Sequence, residues 1–216
     1  LGDSTSTDRI EPTAVLGLIG TQKAVAAGSA FTCALSTTGA VACWGRNDLG
    51  QLGDGSTASR TVAAAVAGLT EEVVAIGAGG SHACALTKSG AVKCWGGNGL
   101  CQLGNGSTTD RSTPTAVTGL QTGVEGITLG NNHSCARLAD GRAKCWGWNV
   151  YGQLGNGTTT DSTTPVAVTG LATAVRTLAA GGHHNCAIMI DDGFVCWGHN
   201  DQGQLGDGTN ADSSVP

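Results

Sequence analysis

Nine cysteines are the first residues in this chain whose type and spacing could do chemistry. Eight fall into four pairs, Cys33/Cys43, Cys84/Cys94, Cys135/Cys145 and Cys186/Cys196, each ten residues apart. Regular, even pairing reads as disulfides and as an oxidising compartment, extracellular or at the cell surface. Cys101 is left over; it is expected in an exposed loop, as a free thiol or as a link between two chains. Histidines recur as well. His82, His133 and His184 share one repeat position, where the first repeat carries Phe31. A ring of imidazoles could hold a metal, but Phe31 interrupts the set and successive repeats would hold their ligands far apart. A structural hydrogen-bonding role is expected instead, with no metal and no cofactor. His183-His184-Asn185-Cys186 also places ligand types together, but Cys186 belongs to a pair. Asp54-Gly55, Asn105-Gly106, Asn156-Gly157 and Asp207-Gly208 are turn dipeptides. A calcium site there would need more carboxylates than one per loop. Ser, Asp and His mostly occupy repeated positions, and the chain has no phosphate loop, no dinucleotide fingerprint and no Cys-x-x-Cys. The chain is therefore read as non-enzymatic.

The elements that must position these residues are repeats. Cys43-Trp44-Gly45 returns as Cys94-Trp95-Gly96, Cys145-Trp146-Gly147 and Cys196-Trp197-Gly198, each copy 51 residues after the last. A constant period of this size predicts an all-β propeller of four-stranded blades, four repeats being present. One repeat domain spans 1–216, with repeats at about 19–69, 70–120, 121–171 and 172–216. Residues 1–18 read as the tail of a preceding or closing blade, because Leu1-Gly2-Asp3 aligns with Leu52-Gly53-Asp54 and Leu205-Gly206-Asp207. Four blades could close alone, form part of a larger ring, or assemble with other copies.

Within the second repeat, Val73 to Ala78 and His82 to Thr87 read as strands. Lys88-Ser89-Gly90 is a tight turn, and Ala91 to Trp95 is the returning strand. A loop from Gly96 to Thr113 leads to a fourth strand opening at Pro114, as an edge strand allows. Folding the hairpin about its turn brings Cys84 opposite Cys94, close enough to bridge. The four Trp of the Cys-Trp-Gly triplets are expected to pack between blades.

Gly is abundant at 36 residues, and 11 basic against 16 acidic residues leave a net charge of −5. Basic residues form no run, so nucleic acid is not an expected partner. No apolar stretch is long enough to span a membrane.

The repeat Gly79-Gly80-Ser81-His82-Ala83-Cys84-Ala85-Leu86, followed by Cys94-Trp95-Gly96-Gly97-Asn98 and Gln102-Leu103-Gly104-Asn105-Gly106, resembles the regulator of chromosome condensation repeat. The likeness covers the whole chain. It implies a β-propeller, usually of seven blades, and the hairpin cysteines look like those of a bacterial, extracellular branch. It also implies chromatin binding, guanine-nucleotide exchange or enzyme inhibition as roles within the family; the acidic charge does not favour the chromatin role, and four repeats do not favour exchange.

The informative positions are those where the repeats differ. After each Trp-Gly stands Arg46, Gly97, Trp148 or His199, and Val150-Tyr151 follows in the third repeat. Equivalent loops of successive blades share one face, and binding residues usually sit on loops carried by a rigid scaffold. Arg46, Trp148, Tyr151 and His199 are therefore expected to belong to a surface for a protein or glycan partner. A structural subunit of a self-assembled array, or a homo-oligomer, is the alternative reading.

Overall fold

The structure, a computed structural model, describes residues 1–216. Short Val- and Ala-rich segments separated by glycine turns form fifteen strands and no helix. They group as four antiparallel sheets: β1 (Gln22–Ala27), β2 (Phe31–Ser36), β3 (Val41–Gly45) and β4 (Arg60–Ala65); β5 (Val73–Ala78), β6 (His82–Thr87), β7 (Val92–Gly96) and β8 (Arg111–Ala116); β9 (Val124–Leu129), β10 (His133–Leu138), β11 (Ala143–Gly147) and β12 (Ser162–Ala167); and β13 (Val175–Ala180), β14 (His184–Met189) and β15 (Phe194–Gly198). Each sheet is an up-and-down blade, and the innermost strands β1, β5, β9 and β13 pack side by side about the axis.

The fourth blade is three-stranded; a lone bridge from Gly198 to Ser213 marks where its outer strand would start. Residues 1–18 do not complete it. They lie on the first blade, where Ser4 N donates to Thr61 O at 2.9 Å and Ala63 N donates to Leu16 O at 3.0 Å. The fourth strand of the second blade also begins earlier than expected, at Arg111, leaving Pro114 in mid-strand. A bulge between the Cys94 and Gly96 pairings and a free outer edge spare the ladder the missing proline N–H.

The hairpin register places Cys33 opposite Cys43, Cys84 opposite Cys94, Cys135 opposite Cys145 and Cys186 opposite Cys196. All four pairs are bridged, with Cα atoms 4.1 Å apart. Each blade turns its disulfide face toward the next blade's tryptophan face. Thus Cys33, Leu35, Val41 and Cys43 pack with Ala83, Ala85 and Trp95, and the same layering joins the second blade to Trp146 and the third to Trp197. Trp95, Trp146 and Trp197 are fully buried, and each indole N–H donates to the carbonyl of Gln51, Gln102 or Gln153 in the blade before, at 2.9–3.0 Å. The glycine after each Trp is required: Gly45 has φ +107°, and a Cβ there would stand 2.5 Å from Ala30 O.

Buried histidines stitch the same interfaces. His82 Nε2 donates to Ser134 Oγ at 2.8 Å, and that hydroxyl donates to Gln102 O at 3.0 Å. One interface on, His133 Nε2 donates to Asn185 Oδ1 at 3.1 Å, and Asn185 Nδ2 donates to Gln153 O at 2.7 Å. The acceptor fixes the proton on Nε2 and leaves Nδ1 bare and buried. At the first interface the apolar Phe31 belongs with the apolar Ala83, so that no polar group is stranded.

Candidate binding face

Each blade presents two loops at one end of the propeller, joined by a backbone hydrogen bond. Arg46 N donates to Ala30 O, Gly97 N to Ser81 O, Trp148 N to Asn132 O and His199 N to His183 O, at 2.8–3.0 Å. Two amide side chains hold the longer loop rigid from below. Asn47, Asn98, Asn149 and Asn200 are fully buried. In the third blade Asn149 Oδ1 accepts from Leu154 N at 2.8 Å, and its Nδ2 donates to the carbonyls of Thr158 and Thr160 at 3.0 and 2.9 Å. Gln153 Oε1 accepts from Tyr151 N at 2.9 Å. The carbonyls and the Thr158 hydroxyl of this loop thus converge on one amide NH₂ group.

On this scaffold the four residues singled out from the sequence separate into two places. Trp148 and Tyr151 of the third blade meet His199 of the fourth. Tyr151 and His199 stack with centroids 3.9 Å apart, and Trp148 meets Tyr151 edge-on at 5.3 Å. Arg46 stands apart in the first blade, where it forms a bidentate pair with Asp48 at 2.6 and 2.7 Å. Both of its ends are solvent-exposed, so this pair contributes little to stability. The structure adds a residue that sequence reasoning missed: His183 meets Trp148 edge-on at 5.1 Å and lies 6.3 Å from His199. Its signal was available, because Ala30, Ser81, Asn132 and His183 vary at one repeat position and each backs the variable residue after Trp-Gly. Val150, which precedes Tyr151 in the same loop, is 48% exposed. In the first two blades the corresponding positions carry Leu49, Ser81 and Gly97, so the ring cluster is particular to the junction of the third and fourth blades.

Electrostatics at the cluster are those of crowded imidazoles. Burial, then the neighbouring His199 and His184, holds His183 below its ordinary value. His199 Nδ1 lies 3.5 Å from Asp201 Oδ1, and that carboxylate is held low by hydrogen bonds from Gln202 and Gln204 together with the charge of His199. Near the axis a recess of about 370 Å³ is lined by backbone and small residues such as Gly28, Gly130 and Gly181, with no titratable side chain.

Cys101 does not stand in an exposed loop. It is 7% exposed and has φ +65°, in the slot that Gly50, Gly152 and Gly203 fill elsewhere. Burial raises its thiol above the usual range. The loop is polar on its face, but the next blade closes over this position, as the close approach of Ser112 to Gly50 shows one repeat earlier.

Four-stranded blades layered Trp against disulfide around an axis define a β-propeller. The chain belongs to the RCC1-like domain family, whose profile matches residues 1–216. It is 34% identical to the ultraviolet-B receptor UVR8 of Arabidopsis thaliana over 224 residues, covering 100% of this chain and 50% of the receptor. It is also 34% identical to the human E3 ubiquitin-protein ligase HERC2 over 185 residues, covering 83% of this chain and 4% of the ligase. The chain thus spans half, or far less, of the length of these relatives. Among solved structures, human WBSCR16 superposes with a TM-score of 0.85 at 22% identity, covering 94% of this chain and 54% of that one. Prp20p of Saccharomyces cerevisiae superposes with a TM-score of 0.80 at 21% identity, covering 93% and 51%, and is described by its binding to Gsp1p and histones. At these identities the likeness speaks for the fold.

Proposed function

We propose that this chain is a non-enzymatic binding propeller that meets a protein partner through the ridge of Trp148, Val150, Tyr151 and His199. The observation that carries this reading is the ring cluster itself. The first two blades spend these loop positions on small, aliphatic or charged residues, whereas the junction of the third and fourth blades gathers four rings on loops held rigid by buried Asn and Gln. Rigid aromatic anchors on a fixed scaffold are the usual source of interface energy. Four hairpin disulfides fit an oxidising compartment, and we place the protein outside the cell or at its surface. The net charge of −5 and the lack of any run of basic residues disfavour a nucleic-acid partner.

The test is crosslinking capture at pH 7.5, with a photoreactive residue at position 150. A partner captured by the unaltered chain and lost at least about tenfold with Trp148→Ala/Tyr151→Ala supports the ridge. Equal capture by both overturns it.

A second reading, self-assembly, draws on the fourth blade. Its disulfide face is uncovered, with Phe194 66% exposed and Cys186–Cys196 half-buried. The buried position of Cys101 counts against a thiol link between chains. Sedimentation velocity across a concentration series checks this reading: a mass increase abolished by Phe194→Ser supports it, and a monomer at all concentrations removes it.

A further inference from the structure

Of the two imidazoles in the cluster, His183 is the one with no counter-charge. Its ring faces Trp148 edge-on at 5.1 Å, Tyr151 at 5.9 Å and His199 at 6.3 Å. Its Nδ1 is buried and has no hydrogen-bond partner. The titratable groups around it are the imidazoles of His133, His184 and His199 and the phenol of Tyr151. Asp201 is the carboxylate of this corner, and it lies against His199. A proton on His183 finds no acceptor at Nδ1 and three rings of its own potential sign.

We propose that the cluster is an acid-released latch, in which neutral His183 holds Trp148 in the ridge and protonated His183 frees it. The neutral ring tolerates its dry position at the cost of one bare nitrogen. The imidazolium needs an acceptor for a second N–H and repels any charge on His199, so it must turn toward water. Turning removes the edge against which Trp148 packs. The ridge is then complete at neutral pH and loosened in mild acid, in the range where imidazoles titrate. This rests on the ridge being the partner surface, but the latch can be read without a partner.

The experiment is a fluorescence titration from pH 7.5 to 5.0 on the unaltered chain and on Trp148→Phe, whose difference isolates Trp148 from the four buried repeat tryptophans. Near-ultraviolet circular dichroism follows those four and reports whether the blades stay packed. The expected result is a red shift of the Trp148 component, with a midpoint below the ordinary imidazole value of about 6.5. That shift is lost in His183→Phe, which keeps a ring but cannot titrate. In His199→Gln the midpoint rises, because an opposing charge is gone. A flat Trp148 component in the unaltered chain, or an unchanged titration in His183→Phe, overturns the latch. Should His183→Phe fail to fold, the histidine Cε1–H resonances of the unaltered chain decide: Trp148 ring resonances that do not move with His183 overturn it equally. Capture through position 150 is done at pH 7.5 with the latch closed, so its failure sinks the partner surface and leaves the titration to judge the latch.

Discussion

At the scale of single residues, the buried imidazoles govern how the protein meets acid. Burial holds His82 down to about 3, and holds His133, despite its bond to Asn185, down to about 4. Both are lowered from an unfolded value near 6.5, so below that pH the unfolded chain binds protons that the native chain refuses. Stability is therefore full above about pH 6.5 and falls as pH drops toward 4, by on the order of 1 kcal/mol per pH unit for each histidine. Thermal melts at pH 7.5 and pH 4.5 should differ by many degrees, and His82→Phe should reduce that difference while lowering stability at neutral pH. A single thiol offers a second check. Cys101 is buried and its thiol is raised by that burial, so a thiol-specific reagent should find no fast-reacting group in the native chain and one after denaturation. Rapid native labelling would put Cys101 on the surface after all.

At the scale of the element, the hairpin is the unit of stability. A disulfide across facing residues closes a short loop and stabilises by roughly 2–3 kcal/mol. Three of the four bridges are sealed between blades; Cys186–Cys196 is not, because no further blade covers it here. Graded reduction followed by alkylation and mass analysis should open Cys186–Cys196 first, with the other three resisting until the chain unfolds. Simultaneous loss of all four would show that the blades do not shield their bridges. The long loop is equally dependent on one side chain. Asn149 makes its hydrogen bonds wholly within the loop, so Asn149→Ala should cost about 2–4 kcal/mol and disorder the loop bearing Trp148 and Tyr151.

At the scale of the whole molecule, the blades are joined by a code of matched pairs. His82 faces Ser134, His133 faces Asn185, and Phe31 belongs to the interface that Ala83 lines. A double-mutant cycle tests the matching. His82→Phe and Ser134→Ala should each destabilise by about 1–3 kcal/mol, and the double variant, which copies the first interface, should recover part of the loss. Strict additivity would mean the pairing carries no energy. The inner turns form a second ladder, Ser29 N to Gly80 O, Gly80 N to Asn131 O and Asn131 N to Gly182 O, and no bond returns from Gly182 to Ser29. The described blades therefore form an open arc, consistent with superposition on about half of larger propellers.

What the sequence by itself determined is whatever repeats. A period of 51 residues, a Gly after each of the four Cys-Trp pairs and cysteines ten apart dictate the blade, its register and its four bridges, because each is a local consequence of strand pairing and turn geometry. It also marked Trp148, Tyr151 and His199, since departures from a repeat are visible without a fold. Only the tertiary structure separated Arg46 from those three, because which repeats touch depends on blade order about the axis. It alone brought in His183, whose neighbours Trp148 and Tyr151 lie 35 and 32 residues back along the chain. It alone buried Cys101, since what closes over that loop is the next blade. Contacts within a blade follow from local spacing; contacts between blades follow from packing, and packing is where the candidate site was made.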